Sequence, residues 1–200
     1  DLKKLILIKK FKLMVCSMTD LKPLILRNTV PSLSLQLVGG GVWTLAEDQP
    51  DNFTLLIFYR GWHCPICRNQ LQDAQSRMYD FQKRGVNIVA ISTDDEDRAT
   101  STKESWGLDK LQIAYGLSVR EARDWGLYLS TSRGTTSLGV EEPAQFNEPG
   151  LFLIKPDNTL YYVAVQSSPF ARPSLSDLTN AVDFVLAKDY PARGELVTAT

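Results

Sequence analysis

Three cysteines and a single histidine are all that stand in the 200 residues of this chain, and the scarcity narrows its chemistry. Three cysteines are too few for the disulfide framework of a small secreted domain. A structural zinc usually takes four ligands, and the thiol and imidazole supply is only Cys16, His63, Cys64 and Cys67, of which His63 and Cys64 are adjacent and point apart. Long apolar runs are lacking as well: none approaches the ~20 residues of a membrane-spanning helix. Neither sign of charge dominates. The formal net charge is −1, without the basic surplus of a nucleic-acid binder. No glycine-rich dinucleotide turn follows a strand, so neither a nicotinamide nor a flavin is implied, and no internal repeat is visible. What is there is 44% apolar and 22% charged, the balance of a globular domain.

Residues 1–17 differ from the rest. They carry five lysines and one aspartate, and their longest apolar run, Leu5 to Ile8, is four residues. A secretory h-region needs about 7–15, so we read an N-terminal extension and expect a cytoplasmic protein. One domain spans 18–195, and 196–200 is a tail. Within it, Ser32 to Leu37 alternates like a half-buried strand, and Gly39-Gly40-Gly41 turns the chain. Thr54 to Tyr59 and Val86 to Ile91 are continuous apolar runs, as in strands covered on both faces. Leu71, Ala74, Met78 and Phe81 fall at helical spacing and predict one helix over 65–84, closed by Gly85. The acidic run Asp94 to Asp97 reads as a solvated helix start. Shorter elements follow: a strand over Leu111 to Tyr115 and a helix over Val119 to Trp125. Residues 131–149 form the longest irregular stretch and are expected to flank the site. A hairpin turns at Pro156-Asp157-Asn158, and Ser174 to Asp177 opens a last helix. Strands alternating with helices predict a single α/β domain with a mixed sheet.

The chemistry centres on Cys64-Pro65-Ile66-Cys67, where a buried strand meets a helix start. Cys64 falls at the N-cap, where unpaired backbone N–H groups and the helix dipole favour a thiolate. Pro65 suits the first helical position, since its missing N–H had no partner there. Cys67, one turn on, can close a disulfide with little backbone movement. The pattern makes Cys64 the candidate nucleophile and Cys67 the resolving thiol. The other readings are a pair of buried structural thiols and half of a metal site. His63 stands beside the nucleophile, where a positive charge would lower the thiol pKa further, although an exposed bystander is equally compatible. Trp62 and Tyr59 are candidates for a substrate wall or for core, and Arg68 for a thiolate contact or for surface.

Residues 53–72, FTLLIFYRGWHCPICRNQLQ, resemble the active-site strand and helix of the AhpC/TSA redoxin family (alkyl hydroperoxide reductase and thiol-specific antioxidant). The similarity runs from Val30-Pro31-Ser32-Leu33 through Ala122 to Gly126 and Gly150 to Asp157, and Tyr190 to Gly194 is similar to members with a C-P-x-C site. It implies a thioredoxin-like fold, a central mixed β-sheet flanked by helices on both faces. It also implies an antioxidant thiol oxidoreductase, and a homodimer, since such proteins often dimerise.

Two departures bear on the reaction. The family's peroxiredoxins place Thr or Ser three residues before the peroxidatic cysteine, where Gly61 stands, and Arg before the G-L-F strand, where Pro149 stands. Those groups would bind the peroxide oxygens. Arg60 is the candidate substitute. Pro149 instead matches the cis-proline that shapes the partner groove of thioredoxins, so a cis Glu148–Pro149 bond is expected. Ile57 and Phe58 occupy the place of the thioredoxins' buried acid. The reading is therefore thiol–disulfide exchange by Cys64 and Cys67, supported by Pro149, Trp62, His63 and Arg60. Its partner is a disulfide-bearing protein. It needs no bound cofactor or metal, and an external thioredoxin- or glutathione-type thiol re-reduces it. The alternatives are a peroxiredoxin-type peroxidase acting on small hydroperoxides and a redox-inert binding module.

Overall fold

A computed structural model describes residues 22–197. The extension 1–17, with Cys16, and the end of the tail lie outside the described residues. The central sheet has seven strands: β1 (Ser34–Leu37), β2 (Val42–Thr44), β3 (Phe53–Phe58), β4 (Val86–Ile91), β5 (Gln112–Tyr115), β8 (Gly150–Ile154) and β9 (Leu160–Val165). Their spatial order is β2-β1-β5-β4-β3-β8-β9. β3, β4 and β5 run parallel, and every other pair is antiparallel, which makes the sheet mixed.

The side chains of β3 show how the layers form. Leu55 and Ile57, with Tyr59 just beyond, join one buried cluster with α1 (Pro65–Ser76), α2 (Met78–Gln82), α3 (Glu96–Ser105) and α5 (Leu175–Lys188). Leu56 and Phe58 join a second cluster on the other face, with Trp125, Phe152 and Ala122 of α4 (Val119–Asp124). Period-2 alternation thus sends successive residues into two cores, and a strand buried on both faces reads as an unbroken apolar run. The central mixed sheet flanked by helices on both faces is the predicted α/β class. Cys64 and Cys67 belong to the first cluster.

Three local expectations need correction. The helix predicted over 65–84 breaks at Arg77 (φ −97, ψ 4). The Ser76 hydroxyl donates to Asp73 O at 2.8 Å, a local bond that competes with the helical ladder, and α2 then restarts on the same apolar face. Residues 131–149 are not wholly irregular, because β6 (Leu129–Thr131) pairs with β7 (Gln145–Asn147) in a small antiparallel ribbon. The acidic run is not all solvated: Asp95 caps α3 through Arg98 N, while Asp94 is 1% exposed.

Candidate active site

Strand β3 ends at Phe58, and residues 59–63 carry the chain to the N-terminus of α1. Cys64 is the N-cap of α1 and Pro65 its first residue, as the sequence predicts. The Cys67 N–H donates to Cys64 Sγ at 3.4 Å, using one of the amides that a helix start leaves unpaired. Both thiols are free and buried. The Cys64 pKa is lowered to about 6: the Cys67 thiol hydrogen-bonds its sulfur, and against the cost of burial the Cys67 N–H, Arg172 and Arg60 act in the same direction. Burial pushes the Cys67 thiol up, and the neighbouring Cys64 pushes it further. The two sulfurs therefore divide into an acidic thiol and a protonated partner one turn away.

Arg60 lies where the sequence places it, beside the dithiol. Its side chain reaches Glu148 at 3.1 Å and Glu142 at 3.3 Å, and its guanidinium carbon sits 4.7 Å from the centre of the Phe146 ring. Burial opposes its charge, and Glu148 together with the two sulfurs maintains it. Ser130 also donates to Glu148, at 2.6 Å. An arginine is thus held at Cys64 from the end of β3, while the position before β8 is Pro149. The Trp62 ring packs half-buried against the cluster that holds the thiols. Tyr59 is wholly buried and meets Trp106 edge-on, so it is core.

His63 is corrected on both of its readings, a cation beside the thiol or an exposed bystander, to a buried neutral ring. It is 0% exposed, with its edge toward Phe146 at 4.7 Å and Arg98 Nη2 3.4 Å from Nδ1. Burial, then Arg60 and Arg98, lower its pKa to about 3. It therefore adds no positive charge to Cys64 near neutral pH. The Glu148–Pro149 bond is also corrected: no cis peptide occurs among the described residues. The chain runs extended from β7 into β8, with Glu148 N donating to Tyr128 O and the Pro149 carbonyl accepting from Gln166 N. Pro149 is buried.

Gly61 has φ +129, and a Cβ built there would lie 2.7 and 2.8 Å from the carboxylate oxygens of Asp94. Asp94 accepts from the Trp62 N–H at 2.8 Å and pairs with Arg98 Nε at 3.0 Å. A buried carboxylate therefore occupies the space where a threonine side chain would extend.

Arg172 has no counterpart among the residues predicted from sequence. It reaches the site from the loop between β9 and α5, with Nη2 3.1 Å from Cys67 Sγ and 3.8 Å from Cys64 Sγ. Nothing in local spacing links it to a cysteine pair 105 positions away. The available signal was a single basic residue in the Pro- and Ser-rich loop before the capped helix. Arg68 makes no such approach; its backbone N–H donates to the Cys64 carbonyl. Among the described residues no three His, Cys, Asp or Glu side chains gather as a metal site, and no helix is long and apolar enough to cross a membrane.

The sequence profile of the AhpC/TSA family matches residues 26–163. Among solved structures, peroxidoxin BcpB from Mycobacterium tuberculosis superposes with a TM-score of 0.62 at 21% identity, over 80% of this chain and 96% of that one. Peroxiredoxin 6 of Arenicola marina gives 0.66 at 18% identity, covering 82% and 76%. The 2-Cys peroxiredoxin of Plasmodium vivax gives 0.67 at 14%, covering 84% of each chain. These likenesses establish the thioredoxin-like fold. Among curated proteins none matches the chain.

Proposed function

This chain belongs to the AhpC/TSA family of thiol-dependent oxidoreductases, and within that family we propose that it works by thiol–disulfide exchange through Cys64 and Cys67. The observation that carries the proposal is the pairing of an acidic sulfur at a helix N-cap with a protonated sulfur one turn later. At pH 7 a thiol with a pKa of about 6 is ~90% thiolate, the nucleophilic form. The Cys64 thiolate attacks one sulfur of a disulfide-bearing protein, and the other sulfur leaves as a thiolate. Cys67 then attacks Cys64 in the mixed disulfide, releases the second product thiol and closes the Cys64–Cys67 bond. A thioredoxin- or glutathione-type thiol reopens it. The two sulfurs carry all the redox chemistry, so the cycle uses neither metal nor organic cofactor. Such reductants belong to a cytoplasmic compartment. A homodimer is the assembly the reading expects, and sedimentation would measure it.

Peroxidase action is the second reading, and Arg60 favours it. Its guanidinium, pinned by Glu148, supplies positive charge at Cys64 without the arginine that peroxiredoxins place before the G-L-F strand. Gly61 speaks against it, because the Asp94 carboxylate fills the space of a hydroxyl donor. Stopped-flow oxidation of the reduced protein, followed by tryptophan fluorescence with Cys64→Ser as control, separates the readings. Exchange predicts fast oxidation by a disulfide and a hydrogen peroxide rate no better than that of a free thiol. A Cys64-dependent peroxide rate far above a free thiol would establish the peroxidase instead.

A further inference from the structure

The hydrogen-bond donors around the dithiol are distributed in a way that the resting state does not require. In the reduced protein the negative charge resides on Cys64, where the Cys67 N–H lies 3.4 Å away, yet two donors at shorter range face Cys67. The Arg60 N–H lies 3.3 Å from Cys67 Sγ and Arg172 Nη2 lies 3.1 Å away, against 3.8 Å to Cys64. The guanidinium is also fixed in place. Nε donates to Pro169 O at 2.9 Å, and Nη1 donates to Gln70 Oε1, one turn beyond Cys67 on α1. The loop is constrained on both sides of Arg172, by Ala171 in a left-handed conformation (φ +55) and by Ser174, the N-cap of α5. Fixed donors aimed at an uncharged atom lower a barrier when that atom acquires charge during the reaction.

We propose that Arg172 is a catalytic residue of the reductive half-reaction, where its guanidinium and the Arg60 N–H bind the Cys67 sulfur as it leaves the Cys64–Cys67 disulfide. The inference rests on the exchange reading above. A donor thiolate attacks Cys64 Sγ; the donor–Cys64 bond forms, the Cys64–Cys67 bond breaks, and its electron pair stays on Cys67 Sγ. Arginine keeps its proton, so it neutralises the new thiolate by charge and hydrogen bond. A second donor thiolate attacks the donor sulfur of the mixed disulfide and releases Cys64 as a thiolate, and Cys67 takes a proton from solvent. Two donor thiols become one disulfide while the protein disulfide becomes a dithiol. Because exchange quickens as the leaving thiol becomes more acidic, the guanidinium acts on the step that regenerates the enzyme.

The test compares two half-reactions in Arg172→Gln and Arg172→Lys, made in the full chain. One is reduction of the oxidised protein by dithiothreitol, followed by tryptophan fluorescence. The other is attack of the reduced protein on a small aromatic disulfide at pH ~8.5, where a thiol of pKa about 6 remains largely ionised even if the substitution raises it. Arg172→Gln is expected to slow reduction by about tenfold more than it slows attack, and Arg172→Lys to recover part of the loss. Equal slowing of both steps, or of neither, overturns the assignment. If circular dichroism shows that Arg172→Gln does not fold, Gln70→Ala, which removes one of the two anchors of the guanidinium without touching either sulfur, carries the same criterion. A wild-type protein that forms no Cys64–Cys67 disulfide overturns the exchange reading itself; one that forms it but shows equal slowing overturns the role of Arg172 alone.

Discussion

Gly61 offers the sharpest prediction, because one substitution there tests both the backbone and the buried carboxylate behind it. Alanine at this position must adopt φ +129, which L-residues rarely do, at a cost of ~1–2 kcal/mol. Its Cβ would also lie 2.7 and 2.8 Å from the Asp94 oxygens, closer than real contacts allow. The carboxylate would have to move away from the Trp62 N–H and from Arg98, and a lost hydrogen bond to a charged group costs roughly 1.5–3 kcal/mol. Together Gly61→Ala should destabilise the protein by about 3–5 kcal/mol. Guanidinium unfolding reads this as a lower midpoint at unchanged slope. In an Asp94→Ala background the steric part disappears, so the same substitution should cost only the backbone strain of ~1–2 kcal/mol. A Gly61→Ala protein within about 0.5 kcal/mol of wild type would show that the position tolerates a side chain, and an equal cost in both backgrounds would show that Asp94 does not exclude one. Gly61→Thr, which restores the family's hydroxyl, should cost at least as much as alanine and gain no peroxide reactivity.

Iodoacetamide alkylation of Cys64 should rise with pH around a midpoint of about 6 and level off above neutrality; a midpoint above 8 would contradict the hydrogen-bonded thiolate. Because this folded-state pKa lies below that of an unfolded thiol, the thiolate stabilises the fold at alkaline pH, and that contribution is lost as pH falls through about 6. His63 has the same sign for a different reason: its folded pKa, about 3, lies below the unfolded value, so folding excludes a proton. The fold should therefore weaken as pH falls from ~6.5 toward 3, and thermal melts of His63→Gln should show a shallower decline over that range. Ser174→Ala removes the hydroxyl that accepts from Asp177 N at the start of α5, and should cost about 1 kcal/mol by denaturant titration.

The apolar runs of β3 and β4, the helical spacing behind Cys64, the hairpin at Asn158 and the cap at Ser174 were all legible in the sequence. They are consequences of local rules, namely period-2 and period-3.6 burial, turn residues and unpaired amides at helix ends. The positions of Cys64 and Cys67 belong with them, because C-P-x-C after a buried strand determines its own geometry within one helical turn. The cation at the dithiol was only half legible: Arg60 sits four residues from Cys64, whereas Arg172 arrives from a loop 108 positions away. The burial of Asp94 and of His63 lay beyond the sequence for a common reason. Each depends on which side chains share a volume built by distant segments: Asp94 behind Gly61, Phe146 against His63. Burial then sets their charge, since water is replaced by partners that only the folded chain brings together. Local sequence determined where the thiols stand; tertiary packing decided which charges surround them.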